Sequence, residues 1–493
     1  MARPANPNVL SLRYATPAMN AIWSEKGKIE RERNFWLIVM KAQKELGVDI
    51  PSEVIEAFER TTRDIDLSWI RRREIKTKHD LNAHLEQYVM AAERWSGESR
   101  KRRKVSGTKQ KIHLGMTSRD VTDNVEQGQI RESAELIFGR YISVLRHLIK
   151  RAYEYDSLPL TARTHHQPAQ VTALGRRFSM WAEELMIQLR SFEKFIENYP
   201  LRGIKGPVGT QKDMLRILGS PAKVDELEKR VANELGFKRI LDSPGQVYPR
   251  SLDEQLVGHL SLLGSAVNNY ALTMRLMAGY ELVTEGFEKH QIGSSAMPYK
   301  MNTRNCERIN TFGKLLKMYA LGASLVSGDQ WEEGDVSCSG LRRIVIPDAF
   351  YTSEGLCETS LHVLNGMGVY NHMLQKEVDR YHVFLATTQI LSLAVNAGIG
   401  RQDAHEIIRT HAVQQARAIR NGISYVPLTD ALSNHPVFKK AGISKGDLEK
   451  AIEISPRDSM PGAERQTRKI RAKAGRLLKK YWADAAYEPK EIL

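Results

Sequence analysis

The chain has 493 residues, 73 Lys and Arg against 58 Asp and Glu, and a formal net charge of +15. Hydrophobic residues make up 42% and charged residues 27%, a globular mix that excludes wholesale disorder. At about 150 residues per domain the length suggests two to four domains with a core that needs no covalent staples. Cys306, Cys338 and Cys357 form no CxxC and no Cys/His zinc spacing, which argues against a disulfide scaffold and a zinc module. The excess of positive charge admits three partners: nucleic acid, a membrane surface or an anionic small molecule.

In chain order, residues 1–8 lack the apolar stretch of a signal peptide. The run Phe35-Trp36-Leu37-Ile38-Val39-Met40 predicts a helix over 34–46, stopped at Gly47. Helical periodicity also predicts helices over 81–95, 124–155, 174–199 and 251–279, several of them longer than the usual globular mean. Residues 255–274 are uncharged, but His259, Ser261, Asn268 and Asn269 make them a helix buried inside a bundle, not a membrane span. Alternating strand patterns are scarce. A basic stretch at 96–110 (SGESRKRRKVSGTKQ), a Gly/Pro loop at 201–209 (LRGIKGPVG) and a small-residue loop at 291–298 (QIGSSAMP) punctuate the helices, and the tail beyond Glu464 is strongly basic. The expectation is an all-α fold, with provisional boundaries near residues 116 and 369.

Five constellations carry chemistry. Lys78-His79-Asp80 sets an imidazole beside a carboxylate. Gly115-Met116-Thr117-Ser118-Arg119-Asp120 puts hydroxyls at a helix N-terminus, a natural anion site. Thr164-His165-His166-Gln167-Pro168 carries adjacent histidines that suit one functional and one packing role better than a shared metal; Pro168 is a candidate helix start. Residues 293–302 (GSSAMPYKMN), with Glu307 and Arg308 beyond, combine hydroxyls, a cation and an amide on a flexible backbone, a grouping suited to an anionic intermediate. Neither this segment nor GIKGPVGTQK has the ending of a P-loop. Ser339-Gly340-Leu341-Arg342-Arg343 offers an anion clamp. Taken singly, each also has a plain structural reading: a surface or packed histidine, a cap, a linker, an exposed arginine pair.

Together they resemble one family. GSSAMPYKMN is similar to the signature G-S-S-x-M-P-x-K-x-N of the fumarase/aspartase superfamily. The flanking set LRYAT, IWSE, KHD, GMTSRD, THHQPAQ, GIKGPVGT, GQVYPRSLD and DQW…S…RR resembles that of its adenylosuccinate lyase family, in the same order from about residue 10 to residue 350. The resemblance implies an all-α, three-domain fumarase/aspartase-like fold: an N-terminal helical domain (1–116), a central long-helix bundle with the signature loop (117–369) and a C-terminal helical domain (370–493). It implies a homotetramer with active sites shared between subunits; the absence of export and membrane signals, with unpaired cysteines, separately points to a cytoplasmic protein. It implies elimination of fumarate from adenylosuccinate, giving AMP, and from the succinocarboxamide ribotide SAICAR, giving AICAR. No metal or organic cofactor is implied, and neither a membrane nor nucleic acid is an expected partner.

Residue by residue, the resemblance implies His165 as general acid, Ser294 as base and His79 as a second important histidine. It implies Lys300, Asn302 and Glu307 as supporting residues of the signature. Substrate-binding positions are Arg13, Tyr14, Lys78, Asp80, Thr117, Ser118, Gln246, Arg308, Ser339 and Arg343. The chain departs from the family at four places. Lys78 stands where many relatives have Arg, Thr303 replaces a common Pro, Gly334 falls where some relatives have a substrate-binding Arg, and His166 adjoins the expected acid. The rival expectations are a sister lyase acting on argininosuccinate, malate, aspartate or carboxymuconate, a nucleic-acid binder using residues 71–73, 100–104 and the tail, and an inactive relative.

Overall fold

The computed structural model describes residues 8–97, 108–453 and 460–489. The basic run at 100–104 lies outside them. Helices dominate, and five long ones form a bundle: Ser118–Glu154, Leu174–Asn198, Ser251–Gly279, Arg304–Ser324 and Ser339–Gly366. Their directions follow from paired contacts. Arg342 bonds Glu126, and Arg151 bonds the Leu364 carbonyl, so Ser118–Glu154 and Ser339–Gly366 run parallel. Arg342 also bonds Asp253, which starts Ser251–Gly279 at the same end. The other two helices run back: Asn269 bonds Glu184, and Arg275 and Asn268 both reach Asn310.

The bundle therefore has two ends. The first holds the N-termini of three helices, at Ser118, Ser251 and Ser339. The second holds their C-termini at Glu154, Gly279 and Gly366. At 1.5 Å per residue, the 37-residue Ser118–Glu154 helix separates the ends by about 55 Å.

The bundle core is apolar at helical spacing. In Ser251–Gly279 the buried residues include Leu256, Val257, Leu260, Leu263, Val267, Tyr270, Ala271 and Met274. This is the uncharged stretch of the sequence, and no described helix is long and apolar enough to cross a membrane. Close approach needs small residues: a Cβ on Gly313 would lie 3.0 Å from Asn268 Oδ1. A second core joins the Glu25–Glu45 and Asp80–Gly97 helices to Val224, Leu227 and Val231. A third gathers residues between Ala386 and Ile452. All three cysteines are free and buried.

The helix expected at 34–46 begins earlier, at Glu25, because Ser24 caps it by accepting from the Gly27 N–H. Pro168 does not start a helix. It lies in a strand, Gln167–Ala173, paired antiparallel with Pro159–Thr164, and the helix begins at Leu174. The register slips between Ala162 and Arg163, where Pro168 can supply no ladder N–H. A second short pair joins Val283–Thr284 to Gly368–Val369.

The basic tail is mostly the Pro461–Lys480 helix. Ile470 and Ala474 bury one of its faces, and Lys473 and Lys480 meet Glu183 and Glu193 of the Leu174–Asn198 helix. Arg471 stacks 4.0 Å from the Tyr153 ring.

Candidate active site

At the first end, the N-termini of the Ser118–Glu154 and Ser339–Gly366 helices converge on a cavity of about 620 Å³. His79, Asp80, Thr117, Ser118, Gln246, Ser339 and Arg343 line it together. Unpaired N–H groups and the positive ends of two long helix dipoles suit this cavity to an anion.

Asp120 organises the entry to the first helix. Its Oδ2 accepts from the Thr117 N–H at 2.7 Å. Its Oδ1 accepts from Arg202 and from the N–H groups of Lys205 and Gly206, so the loop at 201–209 is folded onto the same buried carboxylate. Two segments more than 80 residues apart in sequence thereby fix Thr117 and Ser118 at the cavity rim.

Lys78 closes the Leu67–Thr77 helix in the left-handed conformation at φ 55°, which delivers His79 to the cavity. Nε2 of His79 lies 3.4 Å from Ser118 Oγ. Burial pushes the Asp80 carboxyl up, but the Leu81 N–H and the charges of Lys28, His84 and Arg343 outweigh it and leave it below the usual carboxylate range.

The two adjacent arginines part company. Arg342 is buried and bonds Asp253, Glu126 and the Tyr248 hydroxyl, so it braces the bundle. Burial pushes the Asp253 carboxyl up even against Arg342. Arg343 is 70% exposed and 3.6 Å from Asp80, free to turn toward a ligand.

Gly334 packs against Gln246. At φ 147°, a Cβ there would lie 3.2 Å from Gln246 Cβ and 3.3 Å from Val247. The Gln246 N–H also donates to the Glu333 carbonyl at 2.6 Å. Gly334 thus sits tight against Gln246 and Val247, with little room for a side chain at its own Cβ position.

His165 and His166 lie elsewhere. They form the tip of the hairpin, both at positive φ (50° and 62°), as the two central residues of a tight turn that normally takes Asn-Gly. Neither residue is a glycine, so the turn carries some backbone strain. Both imidazoles are exposed, and His166 Nε2 lies 3.1 Å from the Tyr280 hydroxyl. Arg163 supports the turn by bonding Glu377 and the His166 carbonyl and stacking 4.4 Å over Tyr280.

The signature loop belongs to the same second end, between Val283–Thr284 and Arg304–Ser324. Asn302 donates to the Gly293 carbonyl at 2.8 Å and closes the loop's neck. Ser294 Oγ accepts from the N–H groups of Ala296 and Met297 at 3.3 and 3.1 Å. Lys300 is exposed. A third group lies along the bundle: Arg308 sits 5.4 Å over the Tyr14 ring, Arg13 is exposed beside it, and Glu307 is 3.6 Å from Arg275.

One chain therefore does not bring His165 or Ser294 to the cavity of His79. Sequence reasoning also missed two cavity histidines. His113 lines a smaller pocket with His79 and Ser118, accepts from Trp36 Nε1 at 3.0 Å through Nδ1, and is pushed down by burial. His84 lines the main cavity. The signal for His84 was its place one turn after Asp80; His113 has no local signal beyond its nearness to Thr117.

A family model described as Lyase matches residues 12–314. The chain is 34% identical over 434 residues to a protein named adenylosuccinate lyase from Saccharomyces cerevisiae, covering 87% of each chain. It is 32% identical over 435 residues to the one from Schizosaccharomyces pombe, again 87% of each. The corresponding Methanocaldococcus jannaschii protein is 29% identical, over 90% of this chain and 91% of its own. Among solved structures, a fumarate lyase from Mesorhizobium sp. BNC1 superposes with a TM-score of 0.77 at 18% identity, over 95% of this chain and 100% of that one. A 3-carboxy-cis,cis-muconate lactonizing enzyme from Pseudomonas putida gives 0.80 at 17%, over 95% and 99%. These two likenesses establish the fold.

Proposed function

The chain belongs to the adenylosuccinate lyase family of the fumarase/aspartase superfamily, and from this premise we propose that it eliminates fumarate from adenylosuccinate, giving AMP, and from SAICAR, giving AICAR. The observation that carries the reading is the complete signature at 293–302, closed on itself by Asn302, in a chain a third identical to adenylosuccinate lyases.

The difficult step is removing a proton from a carbon beside a carboxylate. The carbanion survives only if its charge spreads into that carboxylate and meets donors already in position. Lys300 and Asn302 serve that role. Ser294 takes the proton. A serine alkoxide is too basic to persist in water at neutral pH, and the two N–H groups aimed at Ser294 Oγ are the donors such an oxygen needs. His165 protonates the departing nitrogen, so the C–N bond breaks toward a neutral leaving group. Glu307 supports the loop through Arg275.

The cavity of His79 binds the nucleotide. Thr117, Ser118, Ser339 and the helix N-termini receive its phosphate, Arg343 and Lys78 add charge, and Asp80 and Gln246 orient it. Arg13, Tyr14 and Arg308 bind from the side of the bundle. Because about 55 Å of helix separates the cavity from the hairpin in one chain, each active site combines segments of different subunits in a homotetramer. Exposed apolar residues support that assembly. Met318, Leu321 and Leu325 stripe the Arg304–Ser324 helix and its end, and Leu272 and Leu276 stripe its neighbour. The three unpaired cysteines accord with a cytoplasmic enzyme.

The test is direct. Purified protein is mixed with adenylosuccinate, and its absorbance loss is followed together with fumarate release. Turnover carries the reading. No turnover on adenylosuccinate, with activity on argininosuccinate, malate, aspartate or carboxymuconate, reassigns the chain to a sister activity.

A further inference from the structure

A buried carboxylate–imidazole pair faces the nucleotide cavity and has no part in the roles assigned so far. Glu32 is fully buried on the Glu25–Glu45 helix, and His84 is 7% exposed on the Asp80–Gly97 helix. Glu32 Oε2 lies 2.6 Å from His84 Nδ1. The other oxygen, Oε1, has no hydrogen-bond partner and lies 3.8 Å from Lys28 Nζ. Two buried ionisable groups joined by one hydrogen bond are a costly way to fill a core, and leucine-like residues would pack there more cheaply. Their cost has a return only where the pair meets something polar.

Geometry supplies that place. An ionised carboxylate only accepts, so Nδ1 is the ring nitrogen that carries the proton toward Glu32. Nε2 is then the free nitrogen, on the far side of the ring, and His84 lines the 620 Å³ cavity along with Lys28, His79 and Asp80. In the neutral ring Nε2 would only accept. In the imidazolium it donates, with Glu32 balancing the charge from behind. A cavity built for an anion calls for the donor.

We propose that His84, held by Glu32, is a binding residue of this cavity that donates through Nε2 to an anionic oxygen of the substrate. The inference rests on the functional reading above and deepens it. The anionic oxygen comes either from the phosphate or from the succinyl carboxylates, and the two products separate these sources. AMP keeps the phosphate, and fumarate keeps the carboxylates.

The experiment compares the full-length wild type with Glu32→Gln and His84→Gln, after melting curves and gel filtration show each folded and assembled. Glu32→Gln keeps a side chain of the same shape that can still accept from Nδ1, so a merely structural role predicts unchanged binding. The proposal predicts a KM for adenylosuccinate raised about tenfold or more in both variants, the worth of one charge-assisted hydrogen bond, with kcat nearly unchanged. The inhibition constant of AMP rises if the phosphate is the partner, and that of fumarate if a carboxylate is. Unchanged KM and unchanged inhibition by both products in either folded variant overturn the proposal. Failure of the functional reading is seen separately, in a wild type that neither cleaves adenylosuccinate nor binds AMP.

Discussion

The Tyr280 hydroxyl lies 3.1 Å from Nε2 of His166, and the two rings meet at 5.6 Å. Tyr280 ends the Ser251–Gly279 helix and stands just before Val283–Thr284, the strand that feeds the signature loop. The contact ties the turn bearing His165 to the base of the loop bearing Ser294. It also distinguishes two adjacent, exposed histidines: Tyr280 holds His166, while His165 has no side-chain partner among the described residues, a division that fits one functional and one positioning role.

That division predicts unequal mutants. His165→Ala should lower kcat by about 10²–10⁴-fold, the usual worth of a general acid. His166→Leu should lower it by less than about tenfold, through looser placement of the turn. Steady-state rates on adenylosuccinate decide; the reverse order would move the acid to His166.

Glu285 anchors the other foot of the signature loop. Its two oxygens accept from the Asn305 and Cys306 N–H groups, both at 2.9 Å, where Thr303 gives the Arg304–Ser324 helix no side-chain cap. Glu285→Ala should cost about 1–2 kcal/mol of stability, as for a lost helix cap. It should also reduce kcat, because the loop loses its fixed end. Thermal melts and rates measured on one preparation separate the two; a lower melting temperature with unchanged kcat would sever the link to the loop.

Arg342 and Arg343 should respond in opposite ways. Arg342→Ala strands Asp253 in the core and should cost about 3–5 kcal/mol. Arg343→Ala should leave stability within about 0.5 kcal/mol and raise KM about tenfold. Chemical denaturation and kinetics on both variants test the contrast.

Gly334→Arg restores the residue some relatives carry, yet it should harm this chain. The new Cβ meets Gln246 and Val247, and φ at 147° suits glycine. A loss of about 1–3 kcal/mol with a higher KM is expected. A variant with normal stability and lower KM would mean that the loop can make room.

Burial pushes the imidazoles of His113, His147 and His259 below their ordinary value of 6.5. The unfolded chain then binds more protons than the folded one between that value and the lowered ones. The contribution of these imidazoles to stability should therefore fall as pH drops below about 6.5. His259, beside Phe192 and Phe195, has burial as its only cause. His259→Phe should show a smaller drop in melting temperature between about pH 7 and pH 5.5. Glu228 and Asp253, which burial pushes up, act with the opposite sign in both proteins and cancel in the comparison. Equal drops would remove His259 as a source.

The helices were legible in the sequence because apolar periodicity is local, and 174–199 and 251–279 needed only their own residues. The hairpin was not. Thr-His-His-Gln-Pro carries no alternating apolar face, and its turn has histidines where Asn-Gly would have announced it. The signature at 293–302 was readable because its chemistry is contiguous, as was the chemistry of Lys78-His79-Asp80. What a single chain could assemble from them was unreadable.

The sequence by itself determined the all-helical class, the family and the residue types available for eliminating fumarate. Only the tertiary structure decided their arrangement. Three parallel helices send Ser118 and Ser339 to one end, and a 37-residue helix carries the chain about 55 Å away before it turns at His165. Neighbours in sequence were parted for the same kind of reason. Arg342 found Asp253 and Glu126 across the bundle while Arg343 faced the cavity, and Glu32 met His84 from 52 residues away. Periodicity reports which face of a helix is apolar, but not which distant side chain will lie against its polar exceptions.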